Sequence, residues 1–244
     1  MSIFSKLAEK PWLPAEDGAL AADGVPAYAP SGFPAKTALK FFIAVVSVLF
    51  FLFTITYLSR SQYPDFQALA GEPWLPLTNS LQLWLNSGFL LLASIFLQLS
   101  AKDSNRQATT GGESPQAMEV ETLQINGLLI YLVLAVIFSI AFVFGQYIVW
   151  QQLGSQGFLI YSNPANSYFY VLTAVHGIHL LGGLLALVRV LVHFYRKSEL
   201  AVLRRSLGLC AFYWHYLFLL WMFLFALLTA SPDTYNTIAA FCGF

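Results

Sequence analysis

Five long apolar runs, separated by polar segments rich in turn-forming residues, dominate the chain. They cover about residues 38–58, 80–100, 124–150, 167–195 and 207–230. A helix of about 20 apolar residues crosses the hydrocarbon core of a bilayer. Only helices or closed barrels satisfy their backbone there, and runs this long and continuously apolar predict helices. The segments between them, "SRSQYPDFQALAGEPWLPLTN" (59–79), "AKDSNRQATTGGESPQAMEVET" (101–122) and "QQLGSQGFLIYSNPANS" (151–167), carry the Pro, Gly, Ser and Asn of connections. The expected fold class is all-α: a polytopic membrane protein with a bundle of five transmembrane helices. Residues 1–36 read as a Pro/Ala/Gly-rich cytoplasmic tail, either extended or laid over a partner, and residues 37–244 as the membrane domain with a short external C-terminal tail. No apolar signal-peptide core precedes the first run.

Composition supports this division. The 244 residues are 58% hydrophobic, 16% aromatic and only 10% charged, against about 25% charged in soluble domains. Net charge is zero, but its distribution is uneven. If the five runs alternate across a bilayer, eleven of the twelve Lys and Arg residues fall on one side and Arg60 alone on the other. Because basic loops stay inside, the N-terminus is expected inside and the C-terminus outside. None of the twelve acids lies within the five runs as drawn, which argues against a proton relay or an ion-coupled carrier. No inverted repeat is evident either. Cys210 and Cys242 form no CxxC pair and indicate neither a disulfide framework nor a thiolate metal site.

The polar residues inside the runs carry the remaining information. "LTAVHGIHLLGG" (172–183) places His176 and His179 three apart, where helical residues are neighbours. With His215 they admit three readings. One is a metal site, which lacks a nearby carboxylate or thiolate. A second is haem ligation, for which His179 and His215 lie at depths differing by roughly 8–9 Å; His193, among Arg189, Arg196 and Lys197, offers no better pair. In the third, each imidazole hydrogen-bonds a neighbouring helix, aided by a small-residue face of Gly177, Gly182, Gly183 and Ala186. Asn86, Gln146, Trp214 and Trp221 fit the same helix-packing role, while Trp150 and Tyr168 also suit an interfacial belt. Arg60 either snorkels to the membrane edge or pairs with a lipid phosphate or a partner's carboxylate.

Four segments, in order, resemble subunit III of haem–copper oxidases (cytochrome c oxidase subunit 3): "LWLNSGFLLLAS" (83–94), "FVFGQYIVWQQL" (142–153), "LTAVHGIHLLGG" and "FYWHYLFLLWMFLF" (212–225). The resemblance covers about residues 38–230 and is to the short five-helix bacterial form. His176 and His179 match the family's HGxH pair, Trp214 and His215 its WH pair, Trp221 its later tryptophan, and Asn86 the Asn of its second-span motif. The resemblance implies a non-catalytic subunit of a respiratory oxidase that reduces oxygen to water and moves protons. Such a subunit has no active site, holds no haem or copper, binds phospholipid, and stabilises the catalytic subunit I, which carries the metal centres. The expected location is the bacterial cytoplasmic (inner) membrane, with other oxidase subunits and lipids as partners and no nucleic acid. An accessory subunit of a quinol oxidase or nitric oxide reductase is the nearest alternative, and a haem-bearing membrane anchor a more distant one. The chain departs from many members at Ser47, which stands where they carry a glutamate.

Overall fold

The computed structural model describes residues 35–67, 69, 81–110, 115–195 and 200–242; the side chains of residues 106–126, of His193 and of a few others near helix ends are outside the description. The N-terminal tail up to residue 34 therefore lies outside the described residues. Six helices are described: α1 (Ala35–Ser61), α2 (Leu81–Thr110), α3 (Pro115–Ser155), α4 (Pro164–Tyr195), α5 (Leu200–Leu228) and α6 (Pro232–Cys242). The first five contain the five stretches long and apolar enough to cross a membrane, Ala35–Ser61, Leu81–Asn105, Gly127–Ser155, Pro164–Val192 and Arg204–Leu228. The all-helical, five-span expectation is met.

Two features differ from the hydrophobic pattern. Helices α2 and α3 run well beyond their apolar runs, because polar helix formers extend a helix without extending its hydropathy. The second span thereby takes in Lys102 and Asp103 at its polar end, where the sequence pattern keeps charges out of the span. The segment after α5 is a helix, α6, packed beside α1, where a short tail was expected. Ser231 starts α6: its hydroxyl lies 3.0 Å from that of Thr234, whose backbone N–H donates to the Ser231 carbonyl, and Pro232 and Asp233 occupy the favoured first-turn positions.

The connection between α3 and α4 is built from local hydrogen bonds. Gly157 adopts φ +87°, and the Phe158 N–H reaches back to the Leu153 carbonyl, the pattern that closes a helix through a left-handed glycine. Asn163 begins α4: its carboxamide oxygen accepts from the Ala165 N–H at 3.2 Å, and Pro164 follows at the first helical position. The same carboxamide bonds the backbone of Gln67 in both directions, so it also ties down the α1–α2 connection.

The packed centre is made by α2, α3 and α5, with α4 against α5. The sequence register of α2 against α5 is antiparallel. Trp84 meets Phe225, Ser87 meets Trp221, and Ser94 and Gln98 meet His215. Helix α1 leans on α4 and α5 and leaves Phe41, Val45, Phe51 and Leu52 on an outward apolar face.

Candidate functional site: the polar fastenings of the bundle

Tryptophan indoles and hydroxyls form three cross-helix links. Trp214 Nε1 donates to Ser139 Oγ at 3.0 Å, Trp221 Nε1 to Ser87 Oγ at 2.8 Å, and Trp150 Nε1 to Thr173 Oγ1 at 3.1 Å. They join α5 to α3, α5 to α2 and α3 to α4. Each hydroxyl gives its own proton to a carbonyl one turn back: Ser139 to Ala135, Ser87 to Leu83 and Thr173 to Phe169. Every polar atom in these links is used, as an apolar medium demands. Trp150 is thus a helix fastener as well as a candidate belt residue. The hydroxyl partners were not singled out by the sequence; the available signal was a Ser or Thr inside each apolar run.

The histidines diverge. His215 Nε2 lies 3.0 Å from Gln98 Oε1 and its Nδ1 2.5 Å from Ser94 Oγ. A carboxamide oxygen only accepts, so Nε2 carries the proton and Nδ1 accepts from the serine hydroxyl. This is the expected interhelical bond, joining α5 to α2. His179 Nδ1 instead donates to the carbonyl of Val175 in its own helix, at 2.7 Å. Its ring packs against Phe42 and Phe50 of α1, with centroids 6.0 and 5.8 Å apart. His176 is wholly buried, without a hydrogen-bond partner on either nitrogen, and packs against Phe142 and Trp221. The expectation that each imidazole bonds a neighbouring helix is therefore corrected for His176 and His179, which also turn to different neighbours. A step of three is 300° around a helix, leaving 60° between the two rings, enough to separate interior from α1. Gln146, expected to bond between helices, is likewise without a partner, as is Asn86. Replacing His215 by leucine removes two bonds to α2 and is expected to cost about 1–2 kcal/mol in reversible unfolding, while His179→Leu removes no interhelical bond from that side chain.

The small-residue face is also narrower than the sequence suggests. A Cβ at Gly183 would fall 2.9 Å from the rings of Tyr213 and Trp214, whereas Gly177 and Gly182 have nothing within 4 Å. Of these three glycines, only Gly183 permits close helix approach. Gly182 and Ala186 instead line a groove of about 530 Å³ with Leu39 and Phe42 of α1 and Leu209 and Tyr213 of α5. Leu39 and Leu209 also wall a pocket of about 860 Å³ that carries Lys36, Lys40, Arg204 and Arg205.

Arg60 has a partner within its own chain. Its guanidinium bonds both carboxylate oxygens of Asp65, Nη1 to Oδ1 at 2.7 Å, and lies 4.9 Å from the centroid of the Tyr63 ring. The carboxylate that the sequence reading sought in a partner sits five residues away, in the loop that follows α1. At Ser47, the position of the family's glutamate, Oγ donates to the Ile43 carbonyl and meets the Tyr216 hydroxyl at 3.0 Å, linking α1 to α5.

The ion pair predicts a pH response. The Arg60 guanidinium holds the Asp65 carboxyl below the usual carboxylate range. A depressed carboxyl contributes stability that is present above the free-aspartate value of about 3.9 and is lost as pH falls through the lowered folded value. In Arg60→Gln, carboxyl-carbon NMR is expected to show Asp65 titrating at higher pH than in the unaltered chain.

Among the described residues, no group of three or more His, Cys, Asp or Glu side chains gathers where a metal ion could be held. His179 and His215 point to different helices, and His193's side chain lies outside the described residues.

No family model matches the chain. Known proteins do resemble it. A probable cytochrome c oxidase subunit 3 of Mycobacterium tuberculosis is 31% identical over 104 residues, 43% of this chain and 51% of that protein. The protein of the same name from Mycobacterium leprae is 24% identical over 171 residues, 59% of this chain and 83% of its own length. The cytochrome c oxidase subunit 3 of Corynebacterium diphtheriae is 28% identical over 92 residues, 38% of this chain and 45% of that protein. The chain thus spans about half the length of the Mycobacterium tuberculosis relative it matches. On this likeness and its five apolar helices, the chain is a multi-pass membrane protein of subunit III-like character, similar to actinobacterial cytochrome c oxidase subunit 3.

Proposed function

We propose that the chain is an accessory subunit III of a haem–copper respiratory oxidase in a bacterial inner membrane, with its N-terminus on the cytoplasmic side. It packs against the catalytic subunit I, which carries haem and copper, and supplies no redox centre itself. The observation that carries this reading is the fate of the residues shared with the family: Asn86, His176, Trp214, His215 and Trp221 sit at the helix contacts that hold the bundle together. Those residues do structural work, which suits a subunit that shapes and steadies a partner.

Phospholipid is part of the same proposal. The pocket of Lys36, Lys40, Arg204 and Arg205 suits an anionic headgroup, and the apolar groove sharing its walls suits an acyl chain. Both arginines begin the apolar part of α5 and both lysines lie in the first turns of α1, the ends expected to face the cytoplasm.

Affinity purification of the tagged full chain from its native membrane tests the assignment. A haem-bearing catalytic subunit is expected to copurify, and the chain stripped of partners to show no visible band. Purification without such a partner, or a stoichiometric haem band on the isolated chain, would overturn it. A dinuclear copper signal in the copurifying complex separates a cytochrome c oxidase from a quinol oxidase or nitric oxide reductase. Lipid analysis of the same preparation tests the pocket. Arg204→Gln with Arg205→Gln is expected to lower retained anionic phospholipid by about fivefold per charge, since each basic group beside an anionic surface contributes about 1 kcal/mol.

A further inference from the structure

Three polar side chains at the centre of the bundle have no hydrogen-bond partner among the described residues. Asn86 on α2 and His176 on α4 are 0% exposed, and Gln146 on α3 is 7% exposed. Both carboxamide atoms of Asn86, both of Gln146 and both ring nitrogens of His176 are unpaired.

Contacts made by their neighbours bring the three positions to a similar depth in the bundle. The Asn86 carboxamide lies against the backbone of Gly145, the residue before Gln146. Phe142, one helical turn before Gln146, lies edge-on to His176 with centroids 5.9 Å apart. Both rings touch Trp221, at 4.9 Å from Phe142 and 5.4 Å from His176. The Trp221 indole is in turn held by Ser87, the neighbour of Asn86. Contacts at this depth therefore join α2, α3, α4 and α5.

Leaving these atoms unpaired is costly, because each buried donor or acceptor gives up its solvation without a replacement bond. The chemistry of the set selects what satisfies them. It holds no carboxylate, thiolate or ammonium. It offers amide N–H donors, one imidazole N–H, two amide oxygens and one imidazole acceptor nitrogen. A cation would leave the donors unpaired, and an anion the acceptors. Water donates twice and accepts twice, and buried waters typically take about three hydrogen bonds from such groups.

We propose that Asn86, Gln146 and His176 form a buried water-binding site, walled on its apolar side by Phe142 and Trp221. Bound water ties α2, α3 and α4 together at a depth where no direct side-chain bond joins these three residues. The tie is uncharged, which keeps its cost inside a membrane low.

The test is water-to-protein magnetisation transfer by NMR on the full-length, ¹⁵N-labelled chain in lipid nanodiscs. Transfer is expected to the side-chain amides of Asn86 and Gln146 and to the His176 ring N–H. His176→Phe retains a ring against Phe142 and Trp221 and is expected to abolish transfer to both amides. Transfer that persists unchanged in this variant overturns the three-residue site. Absence of transfer in the unaltered chain overturns the proposal outright, and that measurement stands even if the variant fails to fold.

Discussion

Trp221→Ala is expected to destabilise the chain by about 3–5 kcal/mol, the largest effect of any single change considered. The indole is 1% exposed, and its ring touches Phe142 on α3 and His176 on α4. Its N–H binds Ser87 on α2. One side chain on α5 therefore contacts the other three helices of the centre. Lipid tails are as apolar as the bundle interior, so the loss comes from vacated contacts and the cavity rather than from transfer to water. Trp221→Phe keeps most of the ring and removes only the indole bond, with an expected cost of about 1 kcal/mol. Reversible unfolding in mixed micelles separates the two. A loss in the alanine variant no larger than in the phenylalanine variant would contradict the packing described.

Gly145→Ala is expected to cost about 1–3 kcal/mol, although alanine is the better helix former. Its Cβ would fall 2.1 Å from Asn86 Oδ1 and 2.9 Å from Asn86 Cγ. Asn86 is fully enclosed and its side chain is short, so the clash cannot be relieved by swinging a long terminus aside. Gly154 supplies the control. It lies in the same helix with nothing within 4 Å of a new Cβ, and Gly154→Ala is expected to stabilise by up to about 1 kcal/mol. Combining Gly145→Ala with Asn86→Ala removes the obstructing carboxamide, so the pair is expected to cost less than the sum of the two single changes. Additive losses would show that the two residues do not meet.

How far the sequence reaches can be judged residue by residue. The five spans were legible because crossing hydrocarbon requires a long apolar helix, a constraint visible in one dimension. Their ends were less so, since α2 and α3 continue through polar residues and α6 carries only a modest amphipathic signal. The motifs that carry Trp214, Trp221 and His215 mark them as candidates for helix packing. Their partners Ser139, Ser87, Ser94 and Gln98 were not so marked. Each lies 75 to 134 residues away in the chain, and a serine in an apolar run looks alike whether or not an indole faces it.

By itself the sequence determined the class, the number of membrane-crossing helices, the uneven distribution of basic charge and the positions at which polar groups enter apolar runs. These follow from the solvent each segment tolerates. Only the tertiary structure decided what each polar group does. It gave His215 to α2, turned His179 to α1, enclosed His176 against Phe142 and Trp221, and returned Arg60 to Asp65. A hydrogen bond depends on distances of about 3 Å, and those distances arise when helices far apart in sequence are packed at a particular rotation and depth.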